Sequence, residues 1–287
     1  MTSFDLYQAF LGDSQRQLVA PPAIPYDVAG NTGNDQREYG LFKKIFAERS
    51  GGSGPWGLVS RKFEHKSLVP LERFHAFASE RFAAGADCVF INPMVGNAAM
   101  HTTVWEQWGV ANRSISHLCE YLSQYRNVSY DRPMGEDSFA FCNYFAATNR
   151  FWEAYFDFVD TCIDQLEREK AAQSPLGVFY GGSGRYQRDL TVTTKPFIIE
   201  RLFSSFLISS HGFKVAAYPH SDEIYAGKFG ARIGEILRHL SGLKRRGLDG
   251  DAEAWSEWQR LRKKVAKDHQ FAIWDMDDPP ELPLEPA

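Results

Sequence analysis

The sequence predicts an α/β fold, a mixed or mostly parallel sheet flanked by helices, with a C-terminal helical appendage. Short apolar segments alternate with amphipathic helical segments along residues 1–225, which is the pattern of strands connected by helices. Residues 87–93 form an apolar run that ends at a proline, which is typical of a buried parallel strand. Beyond residue 225 only helical patterns follow.

The elements follow from the spacing of apolar residues along the chain. Alternating or continuous apolar runs predict strands at residues 4–10, 56–60, 87–93, 139–145 and 214–218. Helical spacing predicts helices at residues 36–49, 68–84, 103–108, 114–124, 149–172, 196–210, 228–243 and 252–267. This organisation predicts a domain at residues 1–225, a helical extension at 226–270 and a disordered acidic, Pro-rich tail at 271–287.

Composition narrows the function classes. A chain of 287 residues with 44% apolar residues can bury a large core, and its net charge of −4 argues against a general nucleic-acid binder. No run of about 18 apolar residues occurs, and the first ten residues lack the pattern of a secretory signal. The four cysteines have no C-x-x-C spacing, which favours buried thiols. We therefore expect a cytoplasmic protein.

A polar loop follows the first predicted strand. Asp27, Asn31, Thr32 and Asn34 lie in it together with two glycines, ahead of the helix at 36–49. Ligands of open α/β sheets bind beyond the carboxyl ends of strands, where backbone N–H groups and amide side chains can contact a nucleotide. An ordinary long turn explains the loop equally well. The usual phosphate-binding and zinc-binding motifs do not occur in the sequence.

A basic segment follows the strand predicted at residues 56–60. Arg61 and Lys62 come directly after it, and His65 and Lys66 continue the segment. Cations at a strand end can neutralise a diphosphate whose charge grows as a sugar leaves. The alternative is a solvated run of charges.

A carboxylate and a guanidinium lie side by side in an otherwise apolar predicted helix. Glu200 and Arg201 interrupt the apolar segment 196–210. Such a pair can be a buried, mutually satisfied ion pair. A carboxylate held in a cleft can also accept a proton from an attacking hydroxyl. Asn143 and Tyr144 are two further polar residues, and they lie at the end of the strand predicted at 139–145.

A series of short motifs occurs in a fixed order along residues 4–220. The motifs are residues 27–34, 37–39, 57–63, 87–93, 104–108 with His117 downstream, 143–145 and 197–202. In this order they resemble a family of bacterial capsule and O-antigen glycosyltransferases, formerly a domain of unknown function, with galactosyl- and galactofuranosyltransferase-like members. The evidence for the resemblance is the shared order of the motifs.

The resemblance implies a GT-A-like, Rossmann-like mixed sheet. It also implies transfer of a sugar from a nucleotide-sugar donor, here a UDP-sugar, to a hydroxyl of a capsule or O-antigen acceptor. The implied donor-binding residues are Asp27, Asn31, Thr32, Asn34, Arg61, Lys62 and Asp87. The implied acceptor-binding residues are Asn143, Tyr144 and His117. Glu200 is implied as the catalytic base, oriented by Arg201, with Glu106 as its rival.

The sequence departs from many GT-A enzymes in its acidic motifs. Those enzymes hold a divalent metal with a D-x-D motif, and the metal neutralises phosphate charge. Here Asp87 stands alone, and the D-x-D at 275–277 lies in the predicted tail. We therefore expect metal-independent transfer. The leaving diphosphate would then be stabilised by cations: Arg61, Lys62, Arg185, Arg188 or Lys195.

The expected partners are a nucleotide sugar and a glycan acceptor. The basic residues Arg260, Arg262, Lys263, Lys264 and Lys267 also predict peripheral contact of the C-terminal helix with the inner face of a membrane. The alternative for this helix is packing through Trp255 and Trp258. The alternative for the whole chain is a non-catalytic binding module for glycans or nucleotide sugars within a polysaccharide-assembly protein.

Overall fold

Strands and helices alternate along the chain in the computed structural model, which describes residues 4–19, 21–31, 35–49, 52, 54–109, 114–184, 192–209 and 212–277. The strands are β1 (Asp5–Phe10), β2 (Ile24–Asp27), β3 (Trp56–Val59), β4 (Cys88–Phe90), β5 (Phe145–Ala147) and β6 (Val215–Ala217). The first helices are α1 (Asp13–Arg16), α2 (Glu38–Glu48), α3 (Phe63–Ser67), α4 (Leu71–Ala83), α5 (Val95–Met100) and α6 (Val104–Gly109). The remaining helices are α7 (Ser114–Ser123), α8 (Asn149–Ala171), α9 (Pro175–Gly181), α10 (Lys195–Ser209), α11 (Asp222–Leu248) and α12 (Ala252–Asp277).

The strands form one six-stranded mixed sheet of order β2-β1-β3-β5-β4-β6. β1 pairs in parallel with β2 and β3, and β4 pairs in parallel with β6. β5 alone runs antiparallel to its neighbours, so that Phe145 lies opposite Leu58 of β3 and Phe90 of β4. The first residue of β5 therefore lies at the edge where β1–β4 and β6 end, which we call the carboxyl edge.

Two strand predictions differ from the structure. The predicted strand at 139–145 is wrong for most of its length, since β5 begins only at Phe145. Cys142 and Asn143 have φ angles of 66° and 53°, and two left-handed residues in succession cannot continue an extended strand. β2 lies in the Pro-rich segment where no strand was expected. Its position at the end of the sheet explains why Pro25 is tolerated there.

The sheet is covered on both faces. Successive residues of β3 point to opposite faces, as expected for a strand: Leu58 packs with α2, α8 and α10, and Val59 packs with α3 and α4. The first face is strongly aromatic. Trp56 stacks on Trp152 with ring centroids 4.3 Å apart, and the indole N–H of Trp152 donates to the carbonyl of Trp56 at 3.2 Å. Packing in the core thus accounts for many of the aromatic residues, which make up 14% of the sequence.

α11 and α12 form an antiparallel hairpin whose apolar face packs on α5. Gly230 interrupts α11 with φ 73° and ψ 166°, a conformation that only glycine adopts readily. Trp258 is fully buried, as the packing alternative for this helix predicts. α12 runs to Asp277, into the tail predicted to start at residue 271, and residues 278–287 lie outside the described residues. Within the described part of the chain, no helix has the length and apolarity of a membrane span.

The hairpin completes the hydrogen bonding of α5. The last four carbonyls of a helix have no partner within the helix. Here the carbonyls of residues 98–101 accept hydrogen bonds from three side chains of the hairpin. Lys244 Nζ donates to Ala98 at 2.8 Å and to His101 at 2.6 Å. Trp258 donates to the carbonyl of residue 99 at 2.8 Å, and Arg262 donates to that of residue 100 at 3.3 Å.

Gly57→Ala is expected to lower the free energy of unfolding by about 1–3 kcal/mol. A methyl group at this position in β3 would meet the carbonyl oxygen of Phe145 and lie 2.7 Å from Cα of Ala146. These are backbone atoms, so β3 and β5 would have to separate. Urea denaturation would measure the loss.

Gly242→Ala is the matched control. Gly242 lies inside α11 with nothing within 4 Å of an added methyl group. Alanine there should stabilise the protein by about 0.5–1 kcal/mol because glycine is unfavourable inside a helix. Equal stability of Gly57→Ala and the wild type would contradict the close approach of β3 and β5.

Candidate active site at the carboxyl edge of the sheet

Glu200 lies on α10 and is held against the loop that precedes β5. Its Oε1 accepts a hydrogen bond from the backbone N–H of Cys142 at 2.6 Å, and its side chain is 21% exposed. Burial raises the pKa of the Glu200 carboxyl, although Arg201, the Cys142 N–H and Lys66 act in the opposite direction. A partly accessible carboxyl with a raised pKa is a stronger proton acceptor than an ordinary carboxylate.

Asn143 and Tyr144 follow Cys142 directly and carry this loop to the carboxyl edge. Asn143 is only 7% exposed, and its Oδ1 has no hydrogen-bond partner among the described residues. A buried, unpartnered acceptor in a left-handed conformation is unusual, and such positions are concentrated at functional sites. The Tyr144 hydroxyl lies 2.7 Å from Ser60 Oγ at the end of β3. Burial raises the Tyr144 pKa, so this hydroxyl stays protonated.

Glu200, Cys142, Asn143 and Tyr144 form a cluster, and Lys66 contacts it through Cys142. The Lys66 side chain is nearly buried, with 8% of the residue exposed, and Nζ lies 3.7 Å from Cys142 Sγ. The predicted donor-binding residues Arg61 and Lys62 lie in the preceding turn and are half-buried. Lys66 belongs to the same basic segment but was not among the predicted site residues. The short helix α3, which was not predicted, carries Lys66 among its buried residues.

Arg201 points away from this cluster. Its side chain is 2% exposed and its guanidinium donates to the carbonyls of Val104 at 3.1 Å and Phe197 at 3.0 Å. It also donates to Gln107 Oε1 at 2.8 Å, whereas its nearest contact with Glu200 is 3.9 Å. These contacts hold α10 against α6. The expected orienting role for Glu200 is performed by the Cys142 N–H instead.

Glu106, the rival base, is engaged by the C-terminal hairpin. Arg262 Nη1 lies 2.9 Å from both of its carboxylate oxygens, and the backbone N–H of Thr102 donates to Oε2. Burial would raise the Glu106 pKa, but the Thr102 hydrogen bond and the Arg262 charge lower it overall. Glu106 is therefore a poorer proton acceptor than Glu200. Arg262, predicted to face a membrane, is committed to this pair, and Arg260 pairs with Glu257 at 2.6 Å.

The N-terminal polar loop approaches α10. Asp27, at the end of β2, accepts a hydrogen bond from the N–H of residue 29 at 2.9 Å, and Asn31 ends a short 3₁₀ turn. Asp35 contacts Lys195, the first residue of α10, at 3.0 Å. The loop and the helix that carries Glu200 are thus joined. Thr32 and Asn34 lie outside the described residues.

One of the cations expected to stabilise the leaving group, Lys195, is already paired with two carboxylates. Lys195 Nζ is buried and paired with both Asp35 and Glu167, the latter at 2.7 Å. Arg185 and Arg188 lie outside the described residues.

Two predicted residues lie away from the cluster. Asp87 immediately precedes β4 and therefore lies at the opposite, amino edge, where it pairs with Arg150 at 2.8 Å and accepts from the Lys214 N–H at 2.9 Å. The sheet therefore separates Asp87 from Asp27, with which it was expected to bind the donor. His117 lies on the outer side of α7, where its side chain is 80% exposed and 3.6 Å from Glu120.

A groove of about 1030 Å³ lies between α11 and α12, and none of the predicted site residues line it. Among the described residues, no three His, Cys, Asp or Glu side chains are grouped so that they could hold a metal. Comparison of the chain with protein-family models, curated proteins and solved structures finds no match.

Proposed function

We propose that the chain is a glycosyltransferase that moves a sugar from a nucleotide-sugar donor, a UDP-sugar, to a hydroxyl of a capsule or O-antigen acceptor. The observation that carries the proposal is the partly accessible Glu200 carboxyl, whose pKa is raised and which the Cys142 N–H holds at the carboxyl edge. Ligands of open α/β sheets bind at this edge. The mixed sheet with helices on both faces supports a GT-A-like reading of the fold.

The proposed reaction is a direct displacement at the anomeric carbon. Ionised Glu200 takes the proton of the acceptor hydroxyl as its oxygen bonds to the anomeric carbon. The bond from that carbon to the diphosphate breaks, and the nucleoside diphosphate leaves with the electron pair. Arg61 and Lys62, in the turn that follows β3, supply positive charge for the diphosphate. Positioning of both sugars contributes much of the remaining acceleration.

Asn143 supports a sugar as the ligand. Its buried Oδ1 has no partner among the described residues and lies in the loop that also holds Glu200. An unpaired buried acceptor costs about 1–3 kcal/mol. A hydroxyl of the transferred sugar would satisfy it.

Thiol modification tests the position of the site. Cys142 is the one cysteine of the four that is not buried. N-ethylmaleimide should therefore modify Cys142 first. A nucleotide sugar found by thermal shift should slow this modification, because a ligand bound beside Glu200 covers Cys142. Intact-mass spectrometry measures the rate, and Cys142→Ser is the control that removes the labelled thiol.

The outcomes of this experiment separate the two candidate functions. Protection of Cys142 together with nucleotide release that depends on a glycan acceptor supports the transferase. Protection without release by any acceptor favours the non-catalytic binding module. If no nucleotide sugar raises the melting temperature or protects Cys142, the proposed donor site is wrong.

A further inference from the structure

Glu200 lies between opposing charges that come from different elements. Arg201 is its neighbour on α10, Lys66 approaches from α3, and Glu38 is the first residue of α2. Arg201 and Lys66 favour the charged carboxylate, whereas Glu38 disfavours it. Tyr155 of α8 is also close enough to Glu200 for their charges to interact, but burial raises the Tyr155 pKa and keeps its hydroxyl neutral.

Lys66 and Glu200 meet on the two sides of a single residue. Cys142 donates its N–H to Glu200 Oε1 at 2.6 Å, and its Sγ lies 3.7 Å from Lys66 Nζ. Lys66 is 8% exposed, so little water screens its charge. Arg201 is the other cation nearby, but its guanidinium is directed towards two backbone carbonyls and Gln107.

We propose that Lys66 is a positioning residue that helps to keep the Glu200 carboxylate ionised. A general base must be ionised before it can accept a proton, so the charge of Lys66 lowers the lowest pH at which the site works. The catalytic consequence rests on the proposed function. The electrostatic coupling between Lys66 and Glu200 does not.

The direct test is the titration of the Glu200 carboxyl by NMR. Protein labelled with ¹³C at the Glu side-chain carboxyl is titrated, and Glu200→Gln identifies the resonance. Lys66→Met should raise the Glu200 pKa, since it removes a favourable positive charge. Glu38→Gln should lower it, since it removes a repelling negative charge. Lys66→Arg, which keeps the charge, should titrate close to the wild type.

Lys62→Met is the matched control, because Lys62 is in the preceding turn and half-buried. It should leave the Glu200 titration unchanged. An unchanged Glu200 pKa in Lys66→Met, or a shift of the opposite sign, would overturn the proposal. Lys66→Gln, which also removes the charge, provides the same test if Lys66→Met does not fold.

The pH profile of transfer is the second readout. The acid limb of kcat should move to higher pH in Lys66→Met and to lower pH in Glu38→Gln. A purely structural role for Lys66 would lower stability without moving the limb. The NMR titration needs no transfer, so the two proposals fail independently. Predicted NMR shifts in a protein that transfers no sugar would refute only the function. If the protein transfers sugar but the Glu200 pKa does not change in Lys66→Met, only the role of Lys66 is refuted.

Discussion

Glu200→Gln is expected to reduce kcat for sugar transfer by about 10²–10⁴-fold, the range typical of a lost general base. Glutamine keeps the size of the side chain, and its amide oxygen can still accept the Cys142 N–H. Donor affinity should therefore change little. Nucleotide release measures kcat, and calorimetry measures donor binding.

Glu106→Gln is the matched control for this variant. It makes the same chemical change at the rival carboxylate, which is paired with Arg262. Transfer should persist, while the docking of α12 should weaken. Unchanged turnover in Glu200→Gln would remove Glu200 from the reaction. Loss of turnover in Glu106→Gln without loss of stability would transfer the catalytic role to Glu106.

Arg201→Met is expected to lower the free energy of unfolding by about 3–5 kcal/mol, as for other broken buried charge networks. Methionine fills much of the same volume but donates no hydrogen bond. The carbonyls of Val104 and Phe197 and the amide of Gln107 would each lose a donor. Urea denaturation monitored by tryptophan fluorescence measures the loss.

Arg61→Met is the comparison for Arg201→Met. Arg61 lies half-buried in the turn after β3, and its replacement should change stability by no more than about 0.5 kcal/mol. If Arg201→Met retains wild-type stability but loses transfer, Arg201 acts at the site rather than in the core.

The α/β class and most elements could be predicted because apolar spacing records which face of an element is buried. The predicted start of β3 agrees with the structure, and that of α8 does too. The strand predicted at 139–145 could not be corrected from periodicity. Phe139 and Phe141 are buried there as in a strand, but the left-handed turn at Cys142 and Asn143 gives no signal in the apolar pattern.

The candidate site was predictable in part. The pairing of Glu200 with Arg201 at one cleft conflicts with helix geometry, because consecutive residues of a helix point about 100° apart. One of the two had to face the interior, and the structure shows that it is Arg201. The position of Asp87 also follows from strand direction, since a residue that precedes a strand lies at its amino end. The position of Lys66 could not be predicted because it depends on α3, which is too short to give a clear helical spacing of apolar residues.

The dependence of α5 on side chains from the far end of the chain has a consequence for biosynthesis. α5 is a single short helix, and helices of this length are marginal in water without tertiary contacts. Its terminal carbonyls accept hydrogen bonds from Lys244, Trp258 and Arg262. During translation these donors emerge from the ribosome more than a hundred residues after α5. The segment between β4 and α6 therefore acquires its final structure late, only after α11 and α12 have been made.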